Sequence, residues 1–446
     1  MLRWLTLLAS ALSLALCVLL VTRSVTIGSA EGGWIYGYTE SSVLAPLVTA
    51  VLAIAAASAL LVPTWRVGRR HEWPLLVAWI AVATVLHGLI RTIAPYSLES
   101  LFVSDTANSF HSVAQQYEPA DLLRRFLRIR SQVPIHAQSN MPGKVLLIHA
   151  LQTVTPHTAA LPWLLIGIAN LGAVFMYIFV RRLFDDGRMA LLAAALYLFT
   201  PARVWFFPLM NTITPVWLLA SLSLLAAWLR SARVEWAVAL GVALYVLAFF
   251  EPLPLATGLL FAALSVRAIL TGQLTWERFA LQAAAMIAAF VVTSEAVRAV
   301  TGFELIQAFR QIGRHAVEFN EVAARPYGVW LFANLREFTV AAGACALILS
   351  VGTVASPLPR ASEARRPSDP IVAVSIGLLA TLVTLDLLGV NRGEVVRLWI
   401  FLACLFQIPV AYACASIGDR LVATLVLAVT ILHAAVGTAM VRFVIP

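Results

Sequence analysis

Charge is scarce in this chain of 446 residues: Asp, Glu, Lys and Arg together make up 12% of it, against roughly 25% in soluble proteins. A soluble protein of this length could not cover its surface with so few charges, so the composition excludes a soluble globular class. The apolar runs are long and continuous, with a mean hydropathy of +0.89, which favours membrane-spanning helices over an outer-membrane β-barrel. The predicted fold class is all-α, a polytopic transmembrane helical bundle of about 12–14 spans.

Lysine and cysteine are also rare. Lys144 is the only lysine, so arginine carries nearly all of the positive charge. The net charge of +9 gathers in short loops between apolar runs, as the positive-inside rule requires, and this distribution argues against nucleic acid as a partner. The four cysteines lie in apolar runs without metal-ligand spacing, so we expect packing thiols rather than a disulfide framework or a zinc site.

Apolar windows long enough to cross a bilayer of about 30 Å recur along the whole chain. They fall near 4–22, 43–63, 74–94, 160–180, 189–207, 213–229, 236–251, 253–271, 279–299, 327–350, 371–390, 397–415 and 420–442. The first has a longer apolar core than a signal sequence and no cleavage site, so we expect a retained span. The run 143–155 is too short to be a clear span.

Arginine distribution predicts the orientation of the chain in the membrane. The arginine-rich loops expected to be cytoplasmic are 65–73, 181–188, 230–236 and 359–367. The segments that then fall on the outer face are 95–142, 300–326 and 389–397. This parity requires either that 143–155 does not cross the membrane fully or that 181–188 lies outside.

The predicted organisation has four parts and no second soluble domain. These are an N-terminal helical pair (1–73), a transmembrane core (74–355) with the outer loop 95–142, a cytoplasmic linker (356–370) and C-terminal transmembrane helices (371–446). Within the outer loop, apolar residues and arginines are interleaved over 117–132, which predicts an amphipathic helix lying along the membrane surface.

The stretch VSDTANSFHS places Asp105 just past the end of an apolar run. A carboxylate held there can act as a general base that takes a proton from a hydroxyl, although the sequence fits a helix-capping aspartate equally well. His111 and His136 could join Asp105 in binding a divalent cation. They lack a recognisable ligand spacing, which favours hydrogen bonding or phosphate contact, so we predict no metal ligands and leave a metal cofactor open.

Several basic residues on the predicted outer face are candidates for binding a phosphate group. Lys144 follows Pro142-Gly143 at a helix start, where free N–H groups favour an anion; alternatively, Pro142 only starts the helix and Lys144 snorkels to the interface. The other candidates are Arg310, Arg314, His315, Arg325, Arg392 and Arg397, with Glu394 as a carboxylate that holds an arginine in place. Arginine matches phosphate oxygens in pairs, and anchoring to lipid headgroups is the alternative.

Four carboxylates lie in or at the ends of apolar windows, where ionisable groups are costly and usually face a polar interior. They are Glu251, Glu295, Glu337 and Asp386. Such residues suit a transporter as well as an enzyme.

The segment 177–229 resembles the C-type glycosyltransferase (GT-C) superfamily, in the branch of protein O-mannosyltransferases and bacterial lipid-A aminoarabinose transferases. There, a span ending in Tyr-x-x-x-Arg-Arg-Leu-Phe is followed by a small-residue helix and a Thr/Ser-Pro pair. The matching residues are Tyr177, Arg181, Arg182, Leu183, Phe184, Thr200 and Pro201. The resemblance covers residues 75–230 well and the rest only in general architecture.

The resemblance implies a multi-pass enzyme of the cell membrane that takes a sugar from a polyprenyl-phosphate donor, with its active site on the outer face. The family's catalytic aspartate, in the first large outer loop, maps onto Asp105, and the basic residues that hold the donor phosphate map onto Lys144 and Arg392. The chain departs from the family where its aspartate loop follows the third span rather than the first, and where the usual Pro-Pro reads Met141-Pro142. The sugar, the acceptor (glycan, lipid or protein) and metal dependence stay open.

The expected function is therefore inverting transfer of a sugar to an acceptor hydroxyl, with Asp105 as general base. A secondary transporter or a flippase for lipid-linked glycans is the alternative from another class, and it should show an internal repeat. A polysaccharide polymerase or ligase would keep the donor class and change the reaction.

Overall fold

The computed structural model describes residues 1–355 and 369–446. The structure is 77% helical. In the described residues ten helices are long and apolar enough to cross a membrane, a bent pair counts as an eleventh, and two shorter apolar helices accompany them. This confirms a helical, multi-pass membrane protein with fewer long helices in its described part than the 12–14 spans predicted. Each apolar window overlaps at least one helix, and the windows 189–207, 327–350 and 397–415 are each divided among two or three helices. The GT-C fold and the domain boundaries stay predictions, and the linker 356–370 lies almost wholly outside the described residues.

The first three helices run back and forth across the bundle. They are α1 (Leu2–Val21), α2 (Leu44–Trp65) and α3 (Glu72–Arg91). The loop between α1 and α2 contributes strands to two small antiparallel sheets. Strand β1 (Gly28–Ser29) pairs with β2 (Trp34–Ile35), and β3 (Gly37–Tyr38) pairs with β4 (Val441–Arg442) near the end of the chain.

The loop after α3 contains six short helices. They are α4 (Leu98–Val103), α5 (Phe110–Gln116), α6 (Pro119–Arg124), α7 (Phe126–Ile129), α8 (Ile135–Gln138) and α9 (Gly143–Gln152). The stretch 117–132 therefore forms two short helices and a 3-10 turn instead of one amphipathic helix, because Arg125 leaves helical backbone angles. Leu122, Phe126 and Ile129 are buried in a second hydrophobic cluster, together with residues of other helices such as Ile148 and Leu165. These short helices therefore pack against the protein.

Helix α10 (Leu161–Phe184) shows whether the segment 143–155 crosses the bundle. Gly88, near the end of α3, lies against Trp163, near the start of α10, and Glu72, at the start of α3, bonds Tyr177 and Arg181, near the end of α10. Helices α3 and α10 are thus antiparallel neighbours. Because α3 ends where α10 begins, α9 does not cross the bundle.

The next helices include one of the most buried spans of the bundle, and the last of them lies at its periphery. They are α11 (Gly187–Leu198), α12 (Pro201–Trp205), α13 (Thr214–Ser231), α14 (Val234–Phe250), α15 (Gly258–Leu270) and α16 (Trp276–Thr301). Pro201 has no N–H to continue α11, so the span breaks there. The buried Arg203 donates to the freed carbonyl of Leu198 at 2.9 Å and to Asn170 Oδ1 at 2.5 Å, which satisfies a break that would be costly in an apolar interior.

The remaining helices complete the bundle. They are α17 (Leu305–Val322), α18 (Tyr327–Ala342), α19 (Ala344–Ala355), α20 (Pro370–Leu388), α21 (Val395–Leu398), α22 (Ile400–Leu405), α23 (Gln407–Ile417) and α24 (Arg420–Met440). Helices α18 and α19 meet at a 101° bend, where Gly343 has a φ of +85° that other residues rarely adopt. Helix α24 packs against α1 and α2.

Two sets of loops define the ends of the bundle. Arg69 lies 3.8 Å from Asp185, which places the predicted cytoplasmic loops 65–73 and 181–188 together; we call this the inner end. Arg130 donates to Gln311 at 3.3 Å and Arg325 pairs with Glu394 at 2.9 Å. The three predicted outer segments therefore share the opposite end, which we call the outer end.

The orientation predicts which end a membrane-impermeant thiol reagent reaches. All four native cysteines are buried, so labelling should report introduced cysteines. In intact cells we expect Gln132→Cys, exposed at the outer end, to react, and His71→Cys, exposed at the inner end, to react only after permeabilisation. The reverse pattern would invert the orientation.

Close packing around Trp205 predicts a stability effect. A Cβ on Gly437 of α24 would collide with the Trp205 ring, which is stacked on Phe443 and donates to the carbonyl of Ala434 at 3.0 Å. We expect Gly437→Ala to cost about 1–3 kcal/mol and to lower the melting temperature in detergent. Gly167→Ala, where nothing lies within 4 Å, is the matched control and should melt no lower than wild type. Equal melting of both variants would contradict this packing.

Candidate functional site at the outer end

Asp105 lies in an exposed turn between α4 and α5. Its Oδ1 accepts a hydrogen bond from Ser112 Oγ, while Ser109 occupies the N-cap position of α5. Asp105 is thus not the N-cap residue of that helix. His111 is half-buried with its ring 5.1 Å from that of Phe102. Burial lowers the pKa of His111 and the charge of Asp105 opposes the shift, so the carboxylate and this imidazole lie within electrostatic reach of each other.

His136 fixes the backbone of the Asp105 turn. Its Nε2 is 2.6 Å from the carbonyl oxygen of Thr106, the residue after Asp105. Because a carbonyl only accepts, Nε2 must carry the hydrogen and Nδ1 is left as an acceptor. Burial, followed by the charge of Arg397, holds the pKa of His136 well below its usual value. His136 is therefore a neutral imidazole at pH 7.

Arg397 lies beside the same nitrogen of His136. Its Nη2 donates to Glu394 Oε2 at 2.6 Å. Its Nη1 is 3.4 Å from His136 Nε2, a nitrogen that already donates to Thr106, and its buried Nε has no hydrogen-bond partner among the described residues. A buried donor without a partner costs about 1–3 kcal/mol. Two nitrogens of this guanidinium are consequently free to bind an acceptor that is anionic or polar.

The neighbouring arginines leave an excess of positive charge. Glu394 is shared by Arg397 and Arg325, the latter at 2.9 Å. Burial disfavours the ionised form of Glu394, but the two guanidinium groups outweigh it and hold the pKa below its usual value. Arg392 donates to the carbonyls of Gly389 and Arg325 and stacks on Tyr327. Glu394 is therefore shared by two guanidinium groups, and the contacts of Arg392 are to neutral groups.

Lys144 is fully buried and its charge is compensated. Its Nζ lies 2.8 Å from Glu251 Oε2 and donates to Asn140 Oδ1 at 2.7 Å, and Thr214 Oγ1 donates to the same Glu251 oxygen at 2.5 Å. Asn140 in turn donates to the carbonyl of His136 at 2.7 Å. Lys144 is thus linked to His136 through Asn140, but its ammonium group faces a carboxylate.

Arg314 and His315 lie on α17, apart from this group. Arg314 is exposed, and His315 is half-buried; burial, followed by the charge of Arg130, lowers the pKa of His315. The structure shows no hydrogen bond from either residue to Lys144, His136 or Arg397 within the described ranges. Of the predicted site residues, it brings together Asp105, His111, His136, Lys144, Arg392 and Glu394 around one end of the bundle.

Two residues of this cluster, Asn140 and Glu251, are not among the site residues predicted from the sequence. Asn140 stands inside the NMPGK stretch, and only the fold shows that its amide joins Lys144 to His136. Glu251 is recognisable in sequence as an ionisable residue at the end of a span, a position that favours a polar partner. The partner itself, Lys144, follows from tertiary packing.

Three of the residues that carry the GT-C resemblance lie at the inner end, away from the candidate site. Tyr177 and Arg181 bond Glu72, and Arg182 donates to the carbonyl of Ser223, all at the inner end. No protein-family model matches the chain, and no curated protein matches it with significant similarity. In the described part of the chain no three His, Cys, Asp or Glu side chains are grouped as metal ligands. The geometry of the outer end is what supports a function.

The buried pair of Lys144 and Glu251 predicts strong energetic coupling. Removing one partner leaves an uncompensated buried charge, which costs about 3–5 kcal/mol. We expect Lys144→Met and Glu251→Leu each to lower the melting temperature sharply, and the double variant to lower it by much less than the sum of the two. The exposed pair Glu295–Arg298 is the control and should give nearly additive effects. Additive effects at Lys144 and Glu251 would argue against their pairing.

Proposed function

We propose that the chain is a membrane glycosyltransferase that moves a sugar from a polyprenyl-phosphate donor to an acceptor hydroxyl at the outer face of the cell membrane. The observation that carries this proposal is the arrangement around His136. One edge of that imidazole holds the Asp105 turn through Thr106. Beside it lies the guanidinium of Arg397, whose buried Nε has no acceptor in the described part of the chain and whose Nη1 lies only against a ring nitrogen that already donates.

The residues of the outer end favour a phosphate group as the ligand of Arg397. In the described ranges, the buried nitrogens without a partner include Arg130 Nη2, Arg325 Nε and Arg397 Nε, one from each of the three outer segments. Buried unsatisfied donors call for a specific explanation, and a phosphate supplies several strong acceptors to a planar guanidinium fork. A prenyl tail would extend from that phosphate into the bilayer.

Each group then has a role in a single displacement. The Asp105 carboxylate takes the proton of the acceptor hydroxyl as its oxygen attacks the anomeric carbon. The bond from that carbon to the phosphate oxygen breaks on the opposite side, and polyprenyl phosphate leaves with the electron pair. Arg397 and Arg392 stabilise the charge that develops on the leaving oxygen. Attack opposite the leaving group inverts the anomeric configuration.

The other predicted site residues support these two. His136 sets the distance between base and phosphate, and its free Nδ1 accepts a hydrogen bond from the sugar. Glu394 orients Arg397, and Lys144 positions His136 through Asn140 instead of binding the phosphate itself. His111 lies next to the base, and Arg314 and His315 on α17 face incoming acceptor or lipid.

The test is release of polyprenyl phosphate by the purified protein in lipid, offered a panel of polyprenyl-phosphate sugars and acceptors. We expect Asp105→Asn to lower turnover by about 10²–10⁴-fold, the range for loss of a general base. Arg397→Gln should lower it by about 10²–10³-fold, as loss of a charge-stabilising donor does. Asp121→Asn, an exposed carboxylate in the same loop that pairs with Arg125, is the control and should keep full activity. Wild-type turnover in Asp105→Asn would remove the proposed base.

A transporter or lipid-linked-glycan flippase is the second candidate, because transporters use broken helices beside buried carboxylates. Glu337 lies on α18, five residues before the last residue of that helix, where it bends into α19. The buried Oε1 of Glu337 has no partner among the described residues. Movement of a labelled lipid-linked sugar across proteoliposomes, without release of polyprenyl phosphate, would favour transport. Release coupled to growth of a glycan chain would instead indicate a polymerase or ligase.

A further inference from the structure

A cavity of about 270 Å³ opens at the inner end, on the opposite side of the bundle from the proposed active site. Three helices finish beside it, and each contributes an arginine from its last turns: Arg182 of α10, Arg230 of α13 and Arg267 of α15. The basic residues thus come from three separate parts of the chain and converge on one space.

The arginines are held in position by the protein. Arg182 donates to the carbonyl of Ser223 at 2.9 Å and lies over the ring of Trp236 at 5.7 Å. Arg230 donates to the carbonyl of Arg182 at 3.3 Å. These contacts are to neutral groups, so they orient the two guanidinium groups without cancelling their charge.

The acidic residues nearby do not neutralise this end. Asp185 also lines the cavity; it pairs with Arg181 at 2.5 Å, lies 3.8 Å from Arg69 and is within electrostatic reach of Arg230. One carboxylate is thus shared among three arginines, and Asp369 is within electrostatic reach of Arg267. The charge of Arg182 and part of the charge of Arg230 therefore remain available to a ligand in the cavity.

The remaining walls of the cavity are apolar. They are formed by Leu183, Phe184, Ala226, Leu229 and Leu264, with Gln273 as a further polar side chain. A basic patch above an apolar wall matches a ligand whose anionic group is joined to hydrocarbon. Basic pockets between spans at the cytoplasmic side bind lipid headgroups in this manner.

We propose that this cavity binds a phosphate group, carried by an anionic phospholipid of the inner leaflet. The guanidinium forks of Arg182 and Arg230 take the phosphate oxygens, and the acyl chains lie along the leucine side chains. A soluble phosphate compound offers the same chemistry to the arginines and lacks the chains. The site is independent of the proposed glycosyltransferase activity, since it lies at the other end of the spans.

The test measures phosphatidylglycerol and phosphatidylcholine retained by the purified protein from mixed bilayers, by native mass spectrometry. We expect wild type to retain phosphatidylglycerol preferentially. Arg182→Gln/Arg230→Gln should retain roughly tenfold less of it, because the hydrogen bonds from these two guanidinium groups to the phosphate are lost. Arg70→Gln/Arg233→Gln removes two exposed charges from the same end, outside the cavity, and should retain the wild-type amount.

A second arm separates the two sources of phosphate. Delipidated wild type is melted with phosphatidylglycerol, with glycerol phosphate and with inorganic phosphate. A rise in melting temperature with the lipid alone, absent in the cavity variant, supports a lipid as the ligand. A rise with the soluble phosphates, also absent in the variant, supports the phosphate site but overturns the lipid as the source of the phosphate.

Unchanged lipid retention in the cavity variant, or an equal loss in the control, would overturn the proposal. If the double variant does not fold, Arg230→Gln alone serves, because Arg230 is exposed and makes one hydrogen bond. Its expected loss of phosphatidylglycerol is smaller, and no loss would count against the site.

Discussion

The ion pair between Lys144 and Glu251 holds the outer end of the protein together. Neither charge could remain alone inside an apolar bundle, and together they join α9 to the end of α14. Asn140 extends this pair to His136, and His136 reaches the turn of Asp105 and the guanidinium of Arg397. The candidate site is therefore connected to a buried charge pair. This pair holds its position because separating the two buried charges would be costly.

Buried cations in this chain differ in their partners. Lys144 faces a carboxylate. Arg203 donates to a carbonyl and an amide oxygen and lies over the ring of Tyr197, and Arg397 shares the carboxylate of Glu394 with Arg325. Among the described residues, each of these two arginines keeps a buried Nε without an acceptor. Arg397 differs from Arg203 in lying at the outer end, where His136 connects it to the turn of Asp105, and this position makes it the candidate for binding.

The spans between the two ends are mostly packed apolar side chains. Polar chemistry is therefore concentrated at the two membrane surfaces. The outer end presents a carboxylate beside cations, which suits a reaction, and the inner end presents cations above an apolar wall, which suits binding of an anionic lipid. A lipid bound at the inner end would contact α10, α13 and α15, the helices that also form much of the core.

Hydropathy alone determined the helical class and the approximate positions of the apolar helices, because these depend on residues close together in the chain. The breaks within the windows 189–207 and 327–350 were decided by the tertiary structure. The sequence also selected Asp105, His136 and Arg397 as polar residues of outer segments. Only the tertiary structure decided their partners: His136 and Arg397 are 261 residues apart, and Lys144 is turned toward Glu251 instead of an open surface. Pairing between distant helices leaves no local pattern in the sequence, because carboxylates at many positions in the chain could in principle pair with a given buried cation. The break at Arg125 within 117–132 likewise arose from packing onto the protein core.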